Sequence, residues 1–367
     1  MDRLLYCLAL GLVKFFQALP LRAVARLGRA GGGLAYWIDA RHRRVAIENL
    51  TRCFGQERPP IEIRALAREN FKRLGENYCC AIKTAGMSWA ELQKHLEFDG
   101  MEKLDVAGDR EENPSADRRG MKPANTSESS PSPPLEEKAR GEEAVFSGPT
   151  VHLQRQSADA SDSSGSASCV IAIGHFGNFE VYSRANQVLP QFQFASTYRA
   201  LKQPALNKLL FDLRTRSGCL LFERRRESEA LRLAMSSQRL LLGLFSDQHA
   251  GVGGAWIPFF GQFCSTTAAP AVFASRYKAP LHTAICYRIA LARWRFEVGD
   301  AIPTRQDGQR RSPEDIMLDV NRAFEAAIRR DPANWFWVHK RWKVNPSKGQ
   351  RPQSKVGEQI APVEKEG

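Results

Sequence analysis

No Cys-x-x-Cys pair occurs among the eight cysteines, and the seven histidines are scattered along the chain. A zinc site draws on such clustered ligands, so no metal is expected. Several cysteines lie inside apolar runs and read as reduced core residues of a cytosol-facing domain. Gly-x-Ser-x-Gly is absent, which argues against a serine lipase. RNP-like, zinc-finger and helix-turn-helix signatures are missing too, so nucleic acid is not expected as a partner. A full membrane span takes about 20 apolar residues. The nearest approach is Leu4 to Leu19, broken by Lys14 and Gln17.

What the chain has in excess is positive charge: 53 Lys and Arg against 40 Asp and Glu, a net +13. Such a chain attracts acidic lipids, phosphorylated substrates or an acidic protein. Leu4–Leu19 is open to three readings: a signal peptide, an interfacial helix or a single anchor. It has no small-residue cleavage site, which weighs against the first. A buried amphipathic helix is the competing account. The flanking Arg3, Arg22 and Arg26, with Gly31-Gly-Gly-Leu-Ala-Tyr-Trp37 behind them, favour a membrane-bound N-terminus. Residues 1–22 are therefore expected to be a membrane anchor, with a helical region over 23–108. In that region Arg41–Phe54 is basic with a helical period. Ile61–Met87 carries a stripe of Ile63, Leu66, Ala67, Phe71, Leu74 and Tyr78, which reads as core.

Residues 109–168 change character. They are rich in Ser, Pro, Glu, Asp and Arg, with eleven acids to seven bases and almost no aromatics. Such a stretch cannot bury enough surface to offset its ordering entropy and reads as a disordered insertion. The polar tail, 346–367, reads the same way.

Between them, 169–345 alternates strand and helix signals, the pattern of an α/β sheet with crossovers. Strands are expected near Cys169–Ile173, Phe192–Tyr198, Gly218–Phe222, Leu240–Ser246, Leu281–Tyr287 and Trp294–Val298. Helices are expected over Phe179–Leu189, Pro204–Arg214, Glu227–Ser237, Ala268–Tyr277 and from Ser312 to Arg329. The organising stretch is Cys169-Val-Ile-Ala-Ile-Gly-His175-Phe-Gly-Asn-Phe-Glu180. A short β-branched strand ends at Gly174, and His175 stands just past it. Gly177 allows a tight turn, and Asn178 is placed to cap a helix. Strand ends of open α/β sheets are where ligands bind. Glu180, folded back by that turn, would lie beside the imidazole, hold its tautomer and stabilise the imidazolium.

This string resembles the His-x4-Glu motif of the lipid A late acyltransferases, the lauroyl/myristoyl acyltransferase family. Further landmarks follow in the family's order. They are Tyr198-Arg199 with Pro204 and Asn207, Asp247-Gln248, Pro258-Phe-Phe-Gly261 with Thr266-Thr267, and the string from Trp335 through Trp337, His339 and Arg341 to Lys343. The Asn49–Phe54 region and the helix after it are similar as well. The resemblance covers about 1–108 and 169–345. The connection replaced here by 109–168 is short in the family.

The resemblance implies a glycerolipid-acyltransferase-like α/β fold: a mixed sheet flanked by helices, with an N-terminal membrane-anchoring helix. It implies transfer of a fatty acyl chain from acyl carrier protein to a hydroxyl of a lipid A precursor. The reaction would run on the cytoplasmic face of the bacterial inner membrane, among its phospholipids. No cofactor is implied beyond the donor's own phosphopantetheine. His175 would be the general base and Glu180 its partner. Backbone N–H groups of Gly177 and Asn178, or Arg199, would meet the developing oxyanion. For Arg199 a structural salt bridge is the competing reading. Asp247, beside Gln248, would position either a substrate sugar or a basic side chain. Arg224-Arg-Arg226 would meet the acidic carrier or lipid phosphates, or simply be an exposed helix start. Two alternatives stay open: a sibling acyltransferase acting on another glycolipid or phospholipid with acyl-coenzyme A or the carrier as donor, and a non-catalytic membrane-associated lipid-binding protein.

Overall fold

The computed structural model describes residues 2–104 and 168–343. The reading of 109–168 as an insertion and of 346–367 as a tail falls almost wholly outside the described residues.

Helices dominate the first part: α1 (Asp2–Ala18), α2 (Leu21–Ile38), α3 (Ala40–Phe54), α4 (Pro60–Ala85) and the single turn α5 (Trp89–Leu92). Strand β1 (Leu96–Asp99) follows. The second part runs β2 (Cys169–Ile173), β3 (Gln193–Tyr198), α6 (Pro204–Thr215), β4 (Leu220–Glu223), α7 (Ser228–Ser237) and β5 (Leu240–Phe245). A hairpin of β6 (Ala255–Phe259) and β7 (Gln262–Thr266) leads to α8 (Ala269–Tyr277), β8 (Leu281–Ala290) and β9 (Arg293–Val298). The small hairpin β10 (Arg305–Gln306) and β11 (Gln309–Arg310) precedes α9 (Pro313–Arg330).

Seven strands form one sheet in the order β1-β9-β8-β2-β5-β3-β4. Every neighbouring pair is parallel except β8 with β9. All six strands expected in the second part are present, and the sheet is mixed as expected. The hairpin β6–β7 was not anticipated. β2 is buried at every position. Val170 and Ala172 join the core that holds Ile316, Val320 and Phe324 of α9. Cys169, Ile171 and Ile173 join a second core on the opposite face. A strand covered on both sides needs a continuous apolar run, which is why Cys-Val-Ile-Ala-Ile shows no alternation.

Side-chain oxygens meet backbone N–H groups at two helix starts. Ser312 Oγ accepts the N–H of Asp315 at 3.1 Å, as a capping residue should. Thr267 Oγ1 accepts the N–H of Ala269 at 3.3 Å, although the N-cap position itself is Ala268. The stretch after Asn178 differs from expectation. It is a 3₁₀ helix, Phe179–Gln187, and the Asn178 side chain does not cap it.

The N-terminus also differs from expectation. Among the described residues no helix is long and apolar enough to cross a membrane, so the spanning reading has no helix to carry it. At 1.5 Å per residue α1 is roughly 26 Å long, short of a core of about 30 Å. Gln17 near its end donates to Ile82 O of α4 (3.3 Å), and Lys83 Nζ of α4 donates back to Gln17 O (2.6 Å). Leu4, Leu8, Leu12 and Phe15 make an exposed stripe on α1. The glycines of α2 serve helix packing. A Cβ at Gly28 would lie 2.5 Å from Gly75 O of α4, and one at Gly32 would strike Phe71 O. Tyr36 is buried edge-on against Phe71 at 5.5 Å, while Trp37 is exposed. Of the α4 stripe, Ile63, Ala67 and Phe71 are core, whereas Tyr78 is half-exposed.

This contact gives a direct test. Gly32→Ala should cost about 1–3 kcal/mol through overpacking, read as a lower midpoint in denaturant. Gly31→Ala, whose Cβ would meet nothing within 4 Å, should be neutral or slightly stabilising.

Candidate active site

Sheet register builds the site. Ile173 of β2 pairs with Phe245 of β5, and Ser246 N–H continues the ladder to Ile173 O at 3.0 Å. Two residues beyond each partner stand His175 and Asp247. Parallel strands end on the same side, so equal offsets bring the two together. His175 Nδ1 lies 2.8 Å from Asp247 Oδ1, and the His175 backbone N–H donates to Oδ2 at 2.7 Å. Trp335 Nε1–H donates to the same Oδ2 at 2.8 Å.

Asp247 is 1 % exposed. Burial opposes its ionisation, but the His175 charge, the two His175 hydrogen bonds and the Trp335 bond outweigh it. The carboxyl is held below its usual range. An ionised Asp247 accepts the Nδ1 proton and leaves Nε2 as the basic nitrogen. The ring packs against Phe245, Phe179 and Phe336, with centroids 4.5, 4.8 and 5.7 Å away. Gln248 Nε2 sits 3.4 Å from both ring nitrogens. The imidazole is thus fixed on several sides and still partly open to solvent.

It opens into a cavity of about 200 Å³ lined also by Glu180, Tyr198, Arg199 and Arg214. Ile173, Tyr182 and Phe194 line this cavity and also a second one of about 50 Å³, walled almost wholly by apolar side chains such as Ile171, Leu189, Leu241 and Phe296.

Several expected roles move. The carboxylate on the imidazole is Asp247, not Glu180. The Glu180 Oε2 accepts from Arg214 Nε at 2.7 Å, and Arg214 Nη2 donates to Oε1. Glu180 lines the cavity as an ion pair with α6 because a guanidinium is the nearest strong partner. The Gly177 N–H is engaged by Asn334 O at 3.2 Å, so it is not a free oxyanion donor. Gly177 has φ +51, and a Cβ there would lie 2.5 Å from Cys286 O. Asn178 is buried, its Nδ2 3.4 Å from Thr84 Oγ1. Of the two readings of Asp247, the basic side chain stands, and that side chain is His175. Arg199 lies on the cavity wall, exposed, with no carboxylate partner among the described residues.

The tryptophan-rich string is a strap across the strand ends. Asn70 Nδ2 donates to Ala333 O (2.9 Å) and Trp335 O (2.6 Å), and Asn49 Nδ2 to Trp337 O and His339 O (both 2.8 Å). Buried Arg341 donates to Gln248 O (3.2 Å) and Thr266 Oγ1 (2.6 Å). Trp335 and Trp337 are buried, and Trp335 also orients Asp247. Asn49 and Asn70 were missed. Asn70 stands beside Phe71 on an apolar helix face, and a polar residue there signals a buried partner.

His339 Nε2 accepts the His249 N–H at 3.1 Å. Burial pushes His339 down to about 4 against the pull of Asp247, with Lys343 and Arg341 adding to the fall. The unfolded chain takes up this proton near pH 6.5, so the folding stability tied to His339 is complete above that pH and is lost as pH falls toward 4. Melting temperature should drop across this window. His339→Gln should flatten the drop without abolishing it, since burial also lowers His249 and His282.

Comparison with protein families matches residues 2–113 and 161–344 to the family described as bacterial lipid A biosynthesis acyltransferase. A search of curated proteins finds no match. The family match takes in every element of the fold and both members of the His175–Asp247 pair, and the chain belongs to the bacterial lipid A biosynthesis acyltransferases.

Proposed function

We propose that the protein transfers a fatty acyl chain from acyl carrier protein to a hydroxyl of a lipid A precursor, with His175 as general base. The observation that carries this reading is the 2.8 Å contact of His175 Nδ1 with buried Asp247, at the mouth of a cavity that shares walls with an apolar one. A hydroxyl is a weak nucleophile near neutral pH. His175 Nε2 takes its proton as the oxygen attacks the thioester carbonyl. The tetrahedral intermediate collapses, the C–S bond breaks, and the imidazolium returns the proton to the leaving thiolate. Asp247 keeps Nε2 basic and stabilises the imidazolium. The apolar cavity suits the hydrocarbon of the donor, which arrives on phosphopantetheine. Exposed Arg224, Arg225 and Arg226 follow β4, next to cavity-lining β3, and suit an acidic carrier.

The enzyme works at the cytoplasmic face of the bacterial inner membrane. The exposed α1 stripe of Leu4, Leu8, Leu12 and Phe15, with exposed Lys14, Arg22 and Arg26 nearby, supports a helix lying in an anionic surface rather than crossing it. Changing these four residues to Gln should release the protein from phosphatidylglycerol vesicles in a flotation assay while melting stays cooperative. Unchanged binding would mean that another face does the anchoring.

The chemistry is tested with labelled acyl chains on acyl carrier protein. His175→Ala should lower turnover about 10²–10⁴-fold. Asp247→Asn should fall comparably, because an amide cannot stabilise the imidazolium, and the double variant should be little worse than His175→Ala. Full transfer by His175→Ala would end this mechanism.

A further inference from the structure

We propose that Arg214, together with Arg199, forms a phosphate-binding site in the wall of the catalytic cavity, and that Glu180 acts by positioning Arg214 rather than by touching the imidazole. This rests on the acyltransferase reading and deepens it.

The first argument is the occupancy of His175. Its Nδ1 already faces Asp247, a buried carboxylate with three donors on it. A second carboxylate has no orienting task left there. Glu180 instead spends both oxygens on Arg214, taking Nε and Nη2 and leaving Nη1 for a ligand.

The second argument is charge. The cavity that His175 opens into is walled by two guanidinium groups, Arg199 and Arg214, and one carboxylate, Glu180. The thioester and the attacking hydroxyl are neutral before attack, and the oxyanion that then develops needs only donors close to the carbonyl, so a second guanidinium is left for another part of a substrate. Two forked guanidinium groups suit phosphate, whose oxygens accept paired N–H bonds. Both substrates carry phosphate in the proposed reaction: a diester where the pantetheine arm joins its carrier, and monoesters on the acceptor glycolipid.

The third argument concerns the plain structural alternative. If the pair merely tied α6 to the 3₁₀ helix, it would add to a tie already present just past the end of α6, where Ser217 Oγ donates to Ser183 O at 2.5 Å. A partly exposed ion pair contributes little to stability. Arg214 and Glu180 side chains keep 26 % and 23 % exposure, which suits a guanidinium held ready for a ligand.

The test uses the full chain and two readouts. Inorganic phosphate is titrated by calorimetry into wild type, Arg214→Met, Glu180→Gln and His175→Ala. Binding should vanish in Arg214→Met, weaken in Glu180→Gln and persist in His175→Ala. In transfer assays, Arg214→Met should raise KM on the order of ten- to a hundredfold for one phosphate-bearing substrate. It should leave KM unchanged for that substrate's phosphate-free counterpart, either a thioester on unphosphorylated pantetheine or a dephosphorylated glycolipid. Whichever counterpart is spared identifies the source of the phosphate. Arg214→Lys, which keeps the charge, should fall between, and it replaces Arg214→Met if that variant does not fold. The double variant with Glu180→Gln should be no worse than Arg214→Met alone. The acid limb of the kcat/KM profile should stay in place for Glu180→Gln and move for Asp247→Asn. Unchanged phosphate binding in Arg214→Met, or an acid limb shifted by Glu180→Gln, would overturn the proposal. If wild type transfers no acyl chain, the acyltransferase reading falls, while the phosphate titration still judges the site.

Discussion

Asp247 is a carboxylate taken almost wholly out of water, and it stays ionised because three donors converge on it. An unpaired charge at that depth would cost several kcal/mol, so the surrounding structure has to bring those donors in and hold them. Two come from His175, on the neighbouring strand end. The third comes from Trp335, far along the chain. The strap that carries Trp335 is pinned by asparagines of α3 and α4 and by buried Arg341. Helices that contribute no residue to the wall of the cavity therefore help to orient the imidazole.

The same arrangement divides the labour of the two carboxylates near the site. Asp247 faces inward, dry and fully bonded. Glu180 faces the cavity, partly wet and paired with a guanidinium. Low dielectric strengthens the first interaction and water weakens the second, which suits a rigid orienting role for one and an adjustable role for the other. The apolar cavity on the far side of Ile173, Tyr182 and Phe194 gives the site a dry end, and the arginines give it a charged one. An amphiphilic substrate needs both.

Much of this was legible in the residues. Unbroken apolar runs such as Cys169–Ile173 and Leu240–Phe245 announce strands covered on both faces, because only such strands lack polar alternation. Gly174 and Gly177 mark the break and turn after β2, and His175 between them is conspicuous. The string from Trp335 to Lys343 stood out by composition. Less legible was Glu180, since spacing alone cannot tell a turn that folds back to His175 from a 3₁₀ helix aimed at α6. The three adjacent glycines of α2 have a packing role that was not legible either. Read beside aromatic residues they suggest a membrane interface; the structure adds that Gly32 lies flat against α4, where Phe71 O approaches the place of a Cβ.

The sequence by itself determined the places of six of the seven sheet strands, the histidine at a strand end, the basic balance and the membership of the family, because these depend on local pattern and residue identity. Only the tertiary structure decided which acid serves His175. That choice rests on the parallel register of β2 with β5, set by side-chain packing between segments some 70 residues apart. It decided equally that the end of α1 is bonded to α4, and that Trp335 belongs to the site. Long-range contacts of this kind leave no periodic mark in the chain, since each partner keeps the local pattern of its own strand, helix or strap.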